Sequence, residues 1–429
     1  MPGQRGETTR AGRAGPLGLV ALALGCSEPF LGTGRAPEVA PSPAGEEVVG
    51  DAERPEVPEV LDWVEPNPPD EPDPGELGDY EALFDASTLQ EVHLTVPDEG
   101  IDALNADGGT YVRATFEHEG AALEVGLRLK GSSTYQDFDG KPAFRVKFNE
   151  FVDGQRYAGV KRLALNNLTG DPAQGREVVS YWVWASGGMF VPRATLARVY
   201  VNDDYYGLYA LLESMDEEFL ERRFADPTGD LWAANDEADL TADRLQNFTL
   251  QAGMGYGPVS LAQAAEALAA WDGDFYAVTS RVLATDQYLD YVAYSIATGG
   301  DDGYPWHLND FFVYADPGDG GRLKFSPWGQ DESWNETWAF EHGGALLGWR
   351  CELDPDCVAR LGEHVEAALE VYERLDVAGT AEALFALSAE AAAEDTRSPY
   401  AGWEVEAARA LLVERMRAWP ATVRAAMGI

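Results

Sequence analysis

The stretch Leu123-Glu124-Val125-Gly126-Leu127-Arg128-Leu129-Lys130-Gly131-Ser132-Ser133-Thr134, followed closely by Lys141-Pro142-Ala143-Phe144-Arg145-Val146-Lys147-Phe148, decides how this chain is read. Each half alternates apolar and polar residues, as half-buried strands do, and a loop of small residues joins them. Working outward, residues 92–96 and 111–116 alternate on the N-terminal side, and Arg162-Leu163-Ala164-Leu165-Asn166-Asn167 continues the pattern on the other. A helix is expected over 175–187, then strands over 197–202 and 206–212 across a turn at Asp203-Asp204. This half reads as a sheet carrying a single helix.

Beyond Glu213 the pattern turns helical, with helices expected over 216–224, 261–270, 286–298, 357–372, 380–393 and 403–417. One hairpin interrupts them: Phe311-Phe312-Val313-Tyr314, a turn through 316–321, then Leu323-Lys324-Phe325. The run Asp316 to Gly321 lacks a flanking Glu at calcium-loop spacing and reads as a plain turn. A β-rich half followed by a helical half predicts an α+β fold.

The remaining sequence points to export. Arg5, Arg10 and Arg13 precede an apolar run over 16–25, long enough for a signal-peptide core and too short to span a bilayer. It ends in Leu22-Ala23-Leu24-Gly25-Cys26, which resembles a lipobox with Ala23 where Leu is usual. Residues 1–26 are therefore expected to be a signal peptide with Cys26 lipidated, the alternative being an ordinary signal peptide cut nearby. Residues 27–84 are rich in Pro, Gly and acidic side chains, and are expected to form an extended tether ahead of a domain over 85–429. With 74 Asp and Glu against 31 Lys and Arg, the net charge of -43 repels phosphate backbones, so nucleic acid is not an expected partner. Membrane contact is expected only through the lipid. Of three cysteines, Cys351 and Cys357 remain to pair in an oxidising compartment, or to stay as free thiols.

Several motifs then follow in order over residues 89–429. They are Arg128-Leu129-Lys130-Gly131-Ser132-Ser133-Thr134; Lys141 to Phe148; Leu165-Asn166-Asn167 with Arg176-Glu177; and Val199-Tyr200-Val201-Asn202 through Tyr206-Gly207-Leu208-Tyr209 to Glu213. The last block holds Asp302, Asn309 with Phe311 to Tyr314, and Pro327-Trp328-Gly329-Gln330-Asp331. This ordered set resembles the CotH family, the kinase-like proteins named after spore coat protein H. The resemblance implies a two-lobed atypical protein-kinase-like fold, with an N-lobe over about 85–213 and a C-lobe over about 214–429. It implies ATP with Mg²⁺ or Mn²⁺, and phosphate transfer to a Ser or Thr hydroxyl of an exported protein.

Site residues follow from the same resemblance, and each makes physical sense. Lys130, Gly131, Ser132 and Ser133 would approach phosphates, Ser132 standing where Asn is usual. Lys147, held by Glu177, would pair with phosphates, and Glu213 closes the nucleotide set. Asp302 would accept the proton of the attacking hydroxyl, while Asn309 and Asp331, at the two ends of the hairpin, would share a cation. The family often has Trp-Asp-x-Asp where this chain has Trp328-Gly329-Gln330-Asp331, one carboxylate fewer. That difference keeps open an alternative reading, a pseudokinase or a structural, binding lipoprotein of the envelope. His307 is expected to orient its loop, and Trp328, Trp334 and Trp338 to pack against the helical half.

Overall fold

The alternating strands close on themselves. Strands β1 (Gln90–Thr95), β2 (Val112–His118), β3 (Ala121–Lys130), β4 (Ala143–Lys147), β5 (Arg162–Asn166), β6 (Ala194–Val201) and β7 (Asp204–Glu213) form a barrel in the order β1-β2-β3-β4-β5-β7-β6. Every neighbouring pair is antiparallel except the closing one, where β1 lies parallel to β6 with Val92 opposite Val199. Closure leaves no unpaired edge, which a seven-strand open sheet would expose. A computed structural model describes residues 77–255, 259–300, 302–335 and 344–429. The expected signal segment, Cys26, the tether up to residue 76 and Trp338 lie outside the described residues.

Folded chain begins before the expected boundary at 85. Helix α1 (Tyr80–Leu83) is capped by Asp79, whose Oδ1 accepts the Ala82 N–H at 3.0 Å, and Leu83 and Phe84 are buried in the barrel core with Val92, Phe116 and Phe144. The β-rich half also carries more than one helix. Helix α2 (Asp98–Ala106) starts behind Pro97 with Asp98 and Glu99 in its first turn, and buries Gly100 and Leu104. Helix α3 (Arg176–Ser186) is the expected one. It is buried from Glu177 to Ala185, covered by β6 and by helices of the second half, and is mostly apolar beyond its first turn.

The second half contains α4 (Glu217–Arg223), β8 (Leu231–Ala234), β9 (Phe248–Ala252), α5 (Leu261–Ala269), α6 (Phe275–Thr279), α7 (Thr285–Thr298) and α8 (Tyr304–His307). After these come β10 (Phe311–Asp316), β11 (Arg322–Pro327), α9 (Leu346–Glu352), α10 (Pro355–Arg374), α11 (Val377–Leu387), α12 (Ala389–Glu394) and α13 (Gly402–Met427). The fold class is α+β, as expected. The hairpin is not isolated, however: β10 and β11 belong to a four-stranded sheet in the order β11-β10-β8-β9. Strands β8 and β9 are too short to show alternation. Helix α13 runs past the expected end at 417 and through Pro420. The N–H that proline lacks leaves the Met416 carbonyl free, and Tyr372 Oη donates to it at 3.1 Å. The turn at 316–321 is a plain turn, with Asp316 Oδ1 accepting the Gly318 N–H. Cys351 and Cys357 form a disulfide between α9 and the start of α10, with Cα atoms 5.2 Å apart. Among the described residues no helix is long and apolar enough to cross a membrane.

One buried ion pair ties the barrel to the C-terminal helices. Lys141 Nζ lies 2.5 Å from Asp395 Oδ2, and both side chains have 0% exposure. Lys141 also donates to the Leu208 carbonyl, and Asp395 accepts the N–H groups of Leu208, Arg397 and Ser398. The carboxylate fits because residue 207 is glycine: a Cβ there, at φ +126°, would meet the Asp395 carboxylate at 2.4 Å. Burial pushes the Lys141 ammonium down and Asp395 holds it up. Removing one partner strands a charge in the interior. Asp395→Ala should therefore cost about 3–5 kcal/mol in urea unfolding, while Lys141→Met with Asp395→Leu should recover much of that loss.

A second tie has a pH dependence. His364 on α10 hydrogen-bonds Asp290 on α7 at 2.6 Å, and this bond raises the imidazole above its ordinary value. A raised folded value means the contribution is complete below the unfolded value of about 6.5 and disappears as pH rises through the folded one. His364→Gln should lower stability at pH 5.5 by no more than about 1 kcal/mol, given the partial exposure of the pair. At pH 9 the variant and the wild type should unfold alike.

Candidate active site

A cleft of about 1150 Å³ opens where the barrel meets the second half. Its upper wall is the loop after β3, from Lys130 to Gln136; its inner wall is the end of β5 and the first turn of α3. The opposite wall comes from the chain after β8, from Asp302, from Asn309-Asp310 before β10, and from Trp328 to Glu332 after β11. Of the expected site residues, Lys130, Gly131, Ser132, Ser133, Glu177, Asp302, Asn309 and Asp331 all line this one cleft.

Each is held by local structure. The loop after β3 is pinned by Asn167, whose Nδ2 donates to the carbonyls of Thr134 and Lys141 at 3.0 and 2.8 Å. Helix α3 starts where Asp171 accepts the N–H groups of Gly175 and Arg176 at 2.7 and 2.9 Å, which sets Glu177 in the first turn facing the cleft. The hairpin does what its spacing predicts. Phe311 pairs with Pro327, and the Trp328 N–H donates to the Asp310 carbonyl at 2.9 Å, so residues 309–310 and 328–331 meet. Helix α3 supports the far end, with Ser180 donating to Gln330 Oε1 and Arg176 donating to the Ser333 carbonyl.

Two expected residues are elsewhere. Lys147 does not meet Glu177; its Nζ lies 2.6 Å from Glu150 Oε2. The register explains this. Lys130 pairs with Ala143 next to the loop, while Lys147 pairs with Gly126, four residues further down the same hairpin, about 13 Å away. The lysine that reaches the helix Glu is Lys130, through a relay: its Nζ donates to Asn166 Oδ1, and Asn166 Nδ2 donates to Glu177 Oε2 at 2.8 Å. Glu213 is also outside the cleft. It is buried against Arg223, Nη2 to Oε2 2.7 Å, and accepts the Arg193 N–H. His307 is exposed and does not line the cleft. Trp334 packs in the core with its Nε1 donating to Tyr372, whereas Trp328 lines the cleft edge-on to Phe312.

Sequence reasoning missed Asn166 as a bridge and Asp310 altogether. Asp310 follows Asn309, in the left-handed region at φ 45°, and it too lines the cleft. Three carboxyls are raised here. Burial, then Asp331, pushes Glu177 up to about 8. Burial, then Asp302 and Asp331, pushes Asp310 up to about 7. Burial raises Asp331 as well. Against them stands Lys130, lowered to about 8 by burial and by Arg145. One of the two Glu177 oxygens, Oε1, is buried without a hydrogen-bond partner. Such crowding of carboxylates is relieved by a cation or by sharing protons. A tighter carboxylate triple, Asp216-Glu217-Glu218, is already engaged by Arg162, Lys161 and Arg156. Past Trp328 a recess of about 230 Å³ continues from the cleft, with Arg145 Nε and Ser214 Oγ buried without partners and Met215 and Phe312 on its walls.

Comparison with known proteins bears on this arrangement. Residues 127–353, more than half of the chain, match the family described as CotH kinase protein. The chain belongs to the CotH family. Over 231 residues it is 23% identical to the inner spore coat protein H of Bacillus subtilis (strain 168), across 49% of this chain and 59% of that relative. The chain thus spans less than two thirds of the relative's length. The matched CotH region runs from β3 to the end of α9 and contains every cleft residue named above.

The electrostatics of this CotH-family cleft can be checked directly. Competitive reductive labelling of lysines against pH should show Lys130 with a midpoint near 8, well below the ordinary value of about 10.4. A midpoint above 10 would mean that the ammonium is fully solvated.

Proposed function

We propose that this chain is an atypical kinase of the CotH type, transferring phosphate from ATP to a Ser or Thr hydroxyl of an exported protein. The barrel would serve as the N-lobe and the second half as the C-lobe, with ATP in the cleft between. The observation that carries this reading is that one cleft collects a relayed Lys–Glu couple and an Asp, Asn and Asp from segments well separated along the chain. Phosphoryl transfer is mostly positioning and charge neutralisation, and needs little else from the protein.

The residues present fit a nucleotide and a hard cation. Carboxylate and amide oxygens are the donor set that Mg²⁺ and Mn²⁺ take, and the unpartnered Glu177 Oε1 faces a wall crowded with like charge. Asn309 and Asp331 would hold the metal, which when bound neutralises the phosphates of ATP. Lys130, kept cationic by its carboxylate neighbours, would attract those phosphates. The loop Gly131-Ser132-Ser133 offers N–H and hydroxyl donors beside it. The recess behind Trp328 suits a planar base, with apolar faces at Met215 and Phe312 and the Ser214 hydroxyl at an edge. Asp302 would orient the acceptor hydroxyl and take its proton as that oxygen gains the phosphoryl group. Export fits the disulfide, which belongs to an oxidising compartment, and a relative that is a spore coat protein. Anchoring through Cys26 completes the reading.

A second reading, a kinase-like scaffold without catalysis, is favoured by Gly329 alone. Titration calorimetry with ATP and Mg²⁺ or Mn²⁺, paired with a labelled-phosphate transfer assay, separates the two. Asp331→Ala should abolish metal-dependent ATP binding. Asp302→Ala should bind nearly as well as wild type yet lose transfer by roughly 100-fold or more. Wild type that binds no metal–nucleotide complex would leave only the scaffold reading.

A further inference from the structure

The segment Trp328-Gly329-Gln330-Asp331 carries no carboxylate at 329, and the structure shows what occupies the space that side chain would take. A Cβ built on Gly329 would lie 2.3 Å from Asp310 Oδ2 and 2.9 Å from its Cγ. The two residues face each other across the open end of the β10–β11 hairpin, joined by the Trp328 N–H to Asp310 carbonyl bond. Both hold left-handed backbone, φ 60° at Gly329 and 45° at Asp310. A side chain at 329 and the carboxylate of Asp310 therefore compete for one volume. They are alternatives, not companions.

We infer that the carboxylate missing from position 329 has been relocated across the hairpin to Asp310, which acts with Asp331 as a charged ligand for the divalent cation of the cleft. This rests on the kinase-like reading above, and it removes the one feature that favoured a dead site. Asp310 lines the cleft, hydrogen-bonds Asp302 and lies within the electrostatic reach of Lys130 and Asp331. Independently of these acids, the Glu177 side chain in the same cleft is 1% exposed and keeps Oε1 without any partner, an acceptor open to a bound group. Asn309, the neighbour of Asp310, is neutral, and with Asp302 kept for the acceptor hydroxyl the charge that holds a hard cation falls to Asp310 and Asp331. Gly329 then follows from where Asp310 points, and is no sign of decay.

The test uses the full chain and Mn²⁺ alone, followed by electron paramagnetic resonance and calorimetry, so that no activity is needed. Wild type should bind Mn²⁺. Asp310→Asn, which is isosteric, should weaken binding at least about tenfold. Gly329→Ala should weaken it comparably although it removes no carboxylate, because its methyl group displaces that of Asp310. Moving the charge back into vacated space, Asp310→Gly with Gly329→Asp should return affinity to within about threefold of wild type, equivalent to about 0.7 kcal/mol. Unchanged melting without metal confirms that each variant is folded. Wild-type affinity in Asp310→Asn, or no recovery in the double variant, overturns the relocation while leaving the kinase reading intact. Wild type that binds Mn²⁺ neither alone nor with ATP overturns both.

Discussion

The Lys141–Asp395 pair is the constraint on which the cleft depends. Two charges fully removed from water are tolerated only when every remaining donor and acceptor is matched. Here the matching recruits the β7 backbone at Leu208 and the turn after α12 at Arg397 and Ser398. Because Lys141 closes the loop that begins at Gly131, the same interaction ends the cleft's upper wall. Arg397 adds to this from its side, donating to the carbonyls of Asp139 and Gly140 at 2.8 and 2.7 Å. Asn167 holds the loop from below. A segment of small residues is thereby kept in place without help from a ligand.

Within that frame, the cleft's electrostatics follow from unequal burial of unlike numbers of charges. Lys130 is surrounded by Glu177, Asp310 and Asp331, and its ammonium is lowered by burial rather than by any shortage of acids. Asn166 is inserted between Lys130 and Glu177, accepting from one and donating to the other. A neutral amide at that point transmits position without neutralising either partner, so both remain able to respond to what enters the cleft. The barrel contributes the basic side of this balance and the second half most of the acidic side.

The CotH-family motifs divide between these two jobs. Lys141 and Asn167 are structural, holding the loop and the ion pair. Lys130, Asn166 and Glu177 form the relay, and Asp302, Asn309 and Asp331 face it across the cleft. Glu213, at the end of one motif, is engaged with Arg223 and secures the passage from β7 to α4. Motif membership therefore does not separate side chains that touch a ligand from those that hold the wall.

Alternation in 92–148 and the helical spacing of 286–298 and 357–372 were legible from the sequence, because local periodicity reflects which face is buried. The hairpin was legible too, and with it the meeting of Asn309 and Asp331. Barrel closure was not, since the parallel pairing of β1 with β6 joins strands about a hundred residues apart and leaves no local mark. Nor was the identity of the cleft lysine. Lys130 and Lys147 sit on the same pair of strands, and only their register relative to the loop places one at the cleft and the other beside Glu150. Sequence by itself determined the alternating strands of the barrel, the long helices and the β10–β11 hairpin, with their order along the chain. Which carboxylate fills the space beside residue 329 was decided by tertiary structure alone, because it turns on two left-handed residues, Asp310 and Gly329, whose contact across the hairpin end exists only once the sheet has formed.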